Sequence, residues 1–357
     1  MTELAETELA ETDAAGTKSA GTHPAGTGAA GTDPAGSGMA GTESAGARPN
    51  AAPFAAGAAG IVDRCAAAAR RRGDQLSGTA APVSRWLLIE HPGPWGRDAL
   101  RQSGLRPEVA AAVADRAAAS RVRVVLIRRC GRVDRAGARR VGWVDSRPGH
   151  ERLSWGTWAD ERDLLELRPD QPAGEPDPDP AYLVCAHGRH DACCAIWGRP
   201  VAATLASLRP AAVWECTHVG GDRFAANVIA LPHGFYYGGV VTPADAGALV
   251  SRYEAGLVEP DLLRGRSVFP PAVQVAQQHA RRALAEYGVD ALPPLDVAQV
   301  APGTTRVLLA HRDGVVTVTV RAERSPAARL TCAAGKPETA RVFRLVELEP
   351  PVPADSG

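Results

Sequence analysis

The sequence predicts an α/β protein in which a mixed sheet is flanked by helices and preceded by a long tail. From residue 58 onward, short β-branched and apolar runs alternate with longer segments of helical periodicity. In residues 181–271 the elements follow in the order β-α-β-β-β-α, which suits a compact mixed sheet with helices packed against it. Residues 1–57 have almost no side chains of the kind that form a core.

The first 57 residues are of low complexity. From Ala15 a five-residue unit repeats as AGTKS, AGTHP, AGTGA, AGTDP, AGSGM, AGTES and AGARP. Such units have almost no apolar surface to bury, so we predict a disordered tail over residues 1–57.

Residues 58–168 are predicted to form an N-terminal α/β domain. The run "IVDRCAAAARRRGD" is typical of a helix, and "RWLLIEHPGPWGRDAL" of a strand, a turn and the start of a helix. Three further strands are predicted from "RVRVVLIRR", "RRVGWVDSR" and "ERLSWGTW". The proline-rich acidic stretch 168–180 is interpreted as a linker.

Residues 181–271 are predicted to form the second domain. It begins with the strand "AYLVC", a helix over 193–208 that Pro200 should bend or interrupt, and the strand "AAVWECT". The runs "AANVIAL" and "FYYGGVV" flank "PHG" as a hairpin would. A helix follows, with Thr242 as its N-cap and Pro243 at its first position.

Residues 272–350 are predicted to be a C-terminal α/β appendage. They contain the helical run "VAQQHARRALAEYG" and the alternating run "RVLLAHRDGVVTVTV", whose Asp313–Gly314 pair indicates a hairpin turn. The run "ARVFRLVEL" predicts a last strand.

Charge and composition narrow the classes of function. The chain has 40 Lys and Arg and 40 Asp and Glu, so its net charge is zero. Its charge therefore gives no reason to expect binding to nucleic acid or to a membrane surface. No apolar run approaches the length of a membrane helix, and the acidic start does not resemble a signal peptide. We therefore expect a cytoplasmic protein, in which clustered cysteines are metal ligands or redox groups rather than structural disulfides.

One group of cysteine and histidine residues has the residue types of a metal or redox site. Cys185 ends a predicted strand, and Cys193 and Cys194 follow after a short loop; Cys216 and His218 lie at i and i+2 near the end of the next strand. Thiolate and imidazole ligands in this number suit zinc or an iron–sulfur cluster.

Other interpretations of the cysteines stay open. Cys193 and Cys194 at a helix start could instead serve thiol–disulfide exchange, or the thiols could simply pack in the core. His187 and His190 are either ligands or loop residues beside the site. The isolated cysteines Cys65, Cys130 and Cys332 are assigned to the core; these three residues have no cysteine close to them in sequence.

Three stretches resemble the sucrase/ferredoxin-like family. They are "LLIEHPGPWGRDAL", "LVCAHGRHDACCAIWGRPVA" and "WECTHVGGDRFAANVIALPHGFYYGGVVTPADA", and together they cover about residues 80–260. The C–x8–C, HxGG and NV…PHG…YYG elements carry the resemblance. It implies a thioredoxin-like fold in the second domain, a related fold in the first, and a [2Fe–2S] cluster.

The resemblance also implies a ligand set. The C–x8–C cysteines correspond to Cys185 and Cys194, and the first histidine of HxGGH corresponds to His218. The second histidine is replaced by Asp222, so the fourth ligand is Asp222, Cys216 or Cys193, or else the cluster is lost.

With a cluster, the protein would be an electron carrier that serves a redox partner protein, which the sequence does not identify. The alternatives are a thiol–disulfide oxidoreductase that uses Cys193 and Cys194, and a structural zinc-binding module.

Overall fold

A computed structural model of the chain describes residues 64–131 and 138–352. The repeat-rich segment 1–57, for which disorder was predicted, lies outside the described residues. Within the described ranges, no helix is long and apolar enough to cross a membrane.

The described chain forms six α-helices, one short 3-10 helix and two β-sheets. The helices are α1 Cys65–Arg72, α2 Pro107–Ala119, α3 Asp163–Glu166, α4 Ala192–Leu208, α5 Pro243–Glu254 and α6 Pro271–Leu284, with the 3-10 helix at Asp222–Phe224. The strands are β1 Arg85–Glu90, β2 Arg123–Arg128, β3 Arg139–Asp145, β4 Arg152–Trp158, β5 Glu175–Asp177, β6 Ala181–Cys185, β7 Val213–Cys216, β8 Val228–Leu231, β9 Phe235–Tyr237, β10 Leu263–Arg266, β11 Pro294–Ala301, β12 Thr304–His311, β13 Gly314–Arg324 and β14 Arg341–Val352.

The larger sheet is mixed and has ten strands, in the order β10-β9-β8-β6-β7-β2-β1-β3-β4-β5. Strands β1 and β2 are parallel, as are β6 and β7, and their neighbours are antiparallel. The mixed α/β class with helices flanking a large mixed sheet is confirmed.

The sheet contains the same arrangement twice. In each half a parallel β-α-β unit is followed by an antiparallel hairpin and a helix, which gives the strand orders β2-β1-β3-β4 and β7-β6-β8-β9. Antiparallel pairing of β2 with β7, through Ile127 with Cys216 and Arg128 with Glu215, joins the halves into one sheet.

Helices α2, α4 and α5 cover the same face of the sheet, over its two halves. Alternate side chains of β6 to β9, such as Tyr182 and Val184, pack under α4 and α5, whereas Leu87 and Ile89 of β1 pack under α2. The opposite faces share a cluster that includes Cys185, and in it Trp155 and Trp214 lie with ring centroids 5.4 Å apart.

The C-terminal region adds α6 and an antiparallel sheet in the order β11-β12-β13-β14. The hairpin predicted at Asp313–Gly314 joins β12 to β13, with His311 opposite Gly314. Val307, Val316 and Val318 pack on α6, whose amphipathic spacing buries Val273 and Ala276.

Some elements differ from the sequence-based expectation. The first long helix, α2, begins at Pro107 rather than directly after β1, since Pro107 occupies the favoured first helical position and Val109 and Val113 bury one face. The stretch interpreted as a linker contains the edge strand β5, which pairs with β4. Helix α4 runs through Pro200 without ending.

Candidate metal centre

The candidate site lies where the parallel strands β6 and β7 end, which is where open α/β sheets place their ligands. Cys185 is the last residue of β6, and Cys194 lies in the first turn of α4. His218 follows β7 by two residues, and Asp222 begins the 3-10 helix. These four residues are called the cysteine–histidine site below.

The donor atoms of the site are close together. The sulfurs of Cys185 and Cys194 and a ring nitrogen of His218 all lie within 4.8 Å of one another. The Cys194 thiol donates to Asp222 Oδ1 over 3.2 Å, and His218 Nδ1 lies 3.1 Å from the same oxygen. Soft and borderline donors of this kind suit a thiophilic metal.

Hydrogen bonds within the site shift the pKa values of these groups. The neighbouring Cys194 thiol and then, against the effect of burial, His218 lower the pKa of the Cys185 thiol well below its usual range. Burial disfavours protonated His218, but hydrogen bonds to Asp222 and Cys185 outweigh it and raise its pKa to about 9. The shifts in pKa favour a thiolate at Cys185 and a carboxylate at Asp222 beside a protonated His218.

Two further histidines surround His218. The ring of His190 stacks on that of His218, with centroids 3.6 Å apart and planes tilted by 17°. His187 Nδ1 accepts from the His218 backbone N–H over 3.2 Å, so its Nε2 donates to the carbonyl of Gly96 over 2.6 Å. His187 thus anchors the site to the N-terminal half of the sheet.

The site is open to solvent on its histidine side. The side chains of His190 and His218 are 33% and 20% exposed, whereas Cys185 and Cys194 are fully buried. The histidines line a groove of about 400 Å³ together with alanines of α2. A molecule that approaches the site meets imidazole first and sulfur behind it.

A buried arginine that the sequence analysis did not single out supports the glycine loop. Arg264 donates to the carbonyl of Gly220 over 2.9 Å and to Asn227 Oδ1 over 2.8 Å. Gly221 has a φ of +82°, and a Cβ there would lie 2.4 Å from the guanidinium of Arg264. Only glycine fits at this position, directly before Asp222.

The other predicted ligands lie elsewhere. Cys216 pairs with Cys185 across the parallel strands, but its sulfur is not in the group of close donors; burial raises its pKa well above the usual range, so it is a neutral thiol. Cys193 faces the core under α4 and α5, while Cys194 faces the opposite one.

Cys193 has partners that the sequence did not suggest. Cys65 packs in the core as predicted and Cys332 packs against it, yet both also meet Cys193 beside the Asp191 carboxylate. A sequence signal existed only for Asp191, which precedes a predicted helix and is a favoured N-cap type.

Comparison with known families matches this chain to one of them. The model of the sucrase/ferredoxin-like family matches residues 76–265, which is more than half of the chain and includes all four residues of the cysteine–histidine site. No curated protein and no solved structure matches the chain.

Proposed function

This chain belongs to the sucrase/ferredoxin-like family, and we propose that it is an electron carrier that holds a [2Fe–2S] cluster at the cysteine–histidine site. The observation that carries the proposal is the convergence of Cys185, Cys194 and His218, whose donor atoms lie within 4.8 Å. Such a cluster supplies one-electron transfer when bound.

The donor set fits an iron–sulfur centre of mixed ligation. Two buried thiols lie beside an imidazole, and histidine ligation of this kind occurs in Rieske centres. Asp222 is the proposed fourth ligand because it lies within 3.2 Å of both Cys194 and His218. Cys216 and Cys193 are weaker candidates, since neither sulfur belongs to this group.

The protein's own residues would control access and charge. The fully buried cysteines keep thiolate away from water, and the half-buried histidines face the groove. We propose that a redox partner protein docks over this groove in the cytoplasm. Arg189 is exposed beside it, whereas Arg223 pairs with Asp74 and is largely buried.

One observation favours a second candidate, a single zinc ion at the same site. The Cys194 sulfur and His218 Nδ1 are 4.0 Å apart, a separation close to that of two ligands on one tetrahedral ion.

The test is the visible spectrum of protein purified without oxygen, with iron, sulfide and zinc measured on the same sample. We expect a red-brown protein with about two irons and two sulfides per chain. Cys194→Ser should abolish the colour, and Cys130→Ser, a matched control outside the site, should keep it. A colourless protein with zinc that Cys194→Ser removes would establish the zinc alternative instead.

A further inference from the structure

A second group of sulfur ligands lies outside the cysteine–histidine site. Cys65, Cys193 and Cys332 meet beside the carboxylate of Asp191, and the four donor atoms all lie within 4.8 Å of one another. This three-cysteine cluster, Cys65, Cys193 and Cys332 with Asp191, shares no residue with the first site. Its members come from the start of α1, the start of α4 and the loop 325–340.

The sulfurs form a nearly equilateral triangle. The separations are 3.6 Å between Cys65 and Cys193, 3.4 Å between Cys193 and Cys332, and 3.5 Å between Cys332 and Cys65. Two ligands on a tetrahedral zinc ion with bonds of about 2.3 Å lie about 3.8 Å apart. A disulfide requires sulfurs about 2.05 Å apart. The separations between the sulfurs are therefore close to those of three ligands on one bound ion.

The carboxylate of Asp191 offers a fourth ligand atom beside the three sulfurs. The Cys65 sulfur lies 3.9 and 3.8 Å from the two oxygens of Asp191. Oδ1 accepts from the backbone N–H of Cys193 over 2.8 Å, and Oδ2 from that of Cys332 over 2.6 Å. Each oxygen keeps a second lone pair for a metal. The same residue thus caps α4 and ties two ligand residues to a fixed position.

Backbone dipoles and nearby cations favour thiolate at the cluster. The helices α1 and α4 both begin at the cluster, so their positive N-terminal ends lie beside the sulfurs. The charges of Arg70 and Arg223 also act on the cluster cysteines.

We propose that Cys65, Cys193, Cys332 and Asp191 form a structural zinc site. Four protein ligands leave no open position, which is the pattern of structural rather than catalytic zinc. The thiol protons pass to solvent as the zinc–sulfur bonds form. The ion would fasten the loop 325–340 and α1 to the start of α4, and so to the helix that carries Cys194.

The test is zinc content in the full chain, measured by mass spectrometry after expression with added zinc. Four proteins are compared: the unaltered chain, Cys332→Ser, the control Cys130→Ser, and the double variant Cys185→Ser/Cys194→Ser, which removes the first site. We expect about one zinc per chain in the double variant. Cys332→Ser should hold about one zinc per chain fewer than Cys130→Ser. Equal zinc in Cys332→Ser and Cys130→Ser, or none in the double variant, would overturn the proposal.

A second measurement decides the matter if Cys332→Ser fails to fold. X-ray absorption at the zinc edge of the double variant should show three sulfur ligands at about 2.3 Å and one oxygen. Two or fewer sulfurs would refute this ligand set. Because the double variant has no thiol left in the cysteine–histidine site, the failure of this proposal is distinct from the failure of the electron-carrier proposal.

Discussion

Gly198 lies at the closest approach of α4 to β6 and is the sharpest test of how the fold positions Cys185. A Cβ at this position would lie 2.0 Å from the backbone oxygen of Cys185 and 3.0 Å from its carbonyl carbon. The helix would have to retreat by about 1 Å before a methyl group fits. A backbone carbonyl cannot move aside by changing rotamer. Gly198→Ala should therefore lower the free energy of unfolding by about 3 kcal/mol, the upper end of the range for overpacking.

Helix propensity offsets part of this cost. Alanine is better than glycine in a helix by about 1 kcal/mol, which leaves a net loss of about 2 kcal/mol. In a protein of this size that loss lowers the unfolding midpoint by about 3 °C. The matched control is Gly247→Ala in α5, where a Cβ meets nothing within 4 Å.

The two variants should therefore change stability in opposite directions, as measured by thermal unfolding followed by circular dichroism. Gly247→Ala should raise the midpoint slightly, because only the propensity term acts. A midpoint for Gly198→Ala equal to or above that of Gly247→Ala would show that α4 does not need this close approach.

Three further substitutions test other parts of the structure. Thr242→Ala removes the hydrogen bond of 2.9 Å to the Asp245 backbone, half of a reciprocal capping box, and should cost about 1 kcal/mol in urea unfolding. Glu151→Gln removes the carboxylate closest to the buried Arg266, leaves only the exposed Asp290 beside it, and should cost about 3 kcal/mol at pH 7. Burial opposes the charged form of Glu151, but a backbone hydrogen bond and Arg266 outweigh burial and lower its pKa. The stabilisation is therefore complete above the unfolded-state pKa of about 4.3. It is lost as the pH falls through the lowered pKa of the folded state. The stability gap between the unaltered chain and Glu151→Gln should thus narrow at pH 3, and a gap that stays constant would contradict the pairing. Asp222→Asn should reduce iron retention after desalting by about tenfold or more, and unchanged retention would remove Asp222 from the ligand set.

Local spacing was enough to predict that Cys185, Cys194 and His218 lie close together, whereas Asp222 was singled out only by the family resemblance. Cys185 and Cys194 are separated by one short loop, and His218 follows the next strand, so chain continuity alone brings them near one another. The start of α5 could be predicted for the same reason, since the N-cap Thr242 and Pro243 at the first helical position are adjacent in sequence.

Contacts between segments that are distant in the chain could not be predicted from the sequence. Cys193 meets Cys65 and Cys332 across 128 and 139 residues of chain, and each of those two stands alone in sequence. Strand β10 was missed because its Arg264 and Arg266 look like surface charges. Both are buried, and backbone carbonyls accept from them, which a pattern of hydrophobic residues does not reveal.

The vicinal cysteines show how one helix start can supply two separate sites. Successive residues on an α-helix point about 100° apart, so Cys193 and Cys194 in the first turn of α4 diverge. The first enters the core shared with α1, and the second enters the core shared by both halves of the sheet. A redox pair would need both sulfurs in one place. Their separation instead favours two ligand roles, held by the single cap that Asp191 makes at the start of α4.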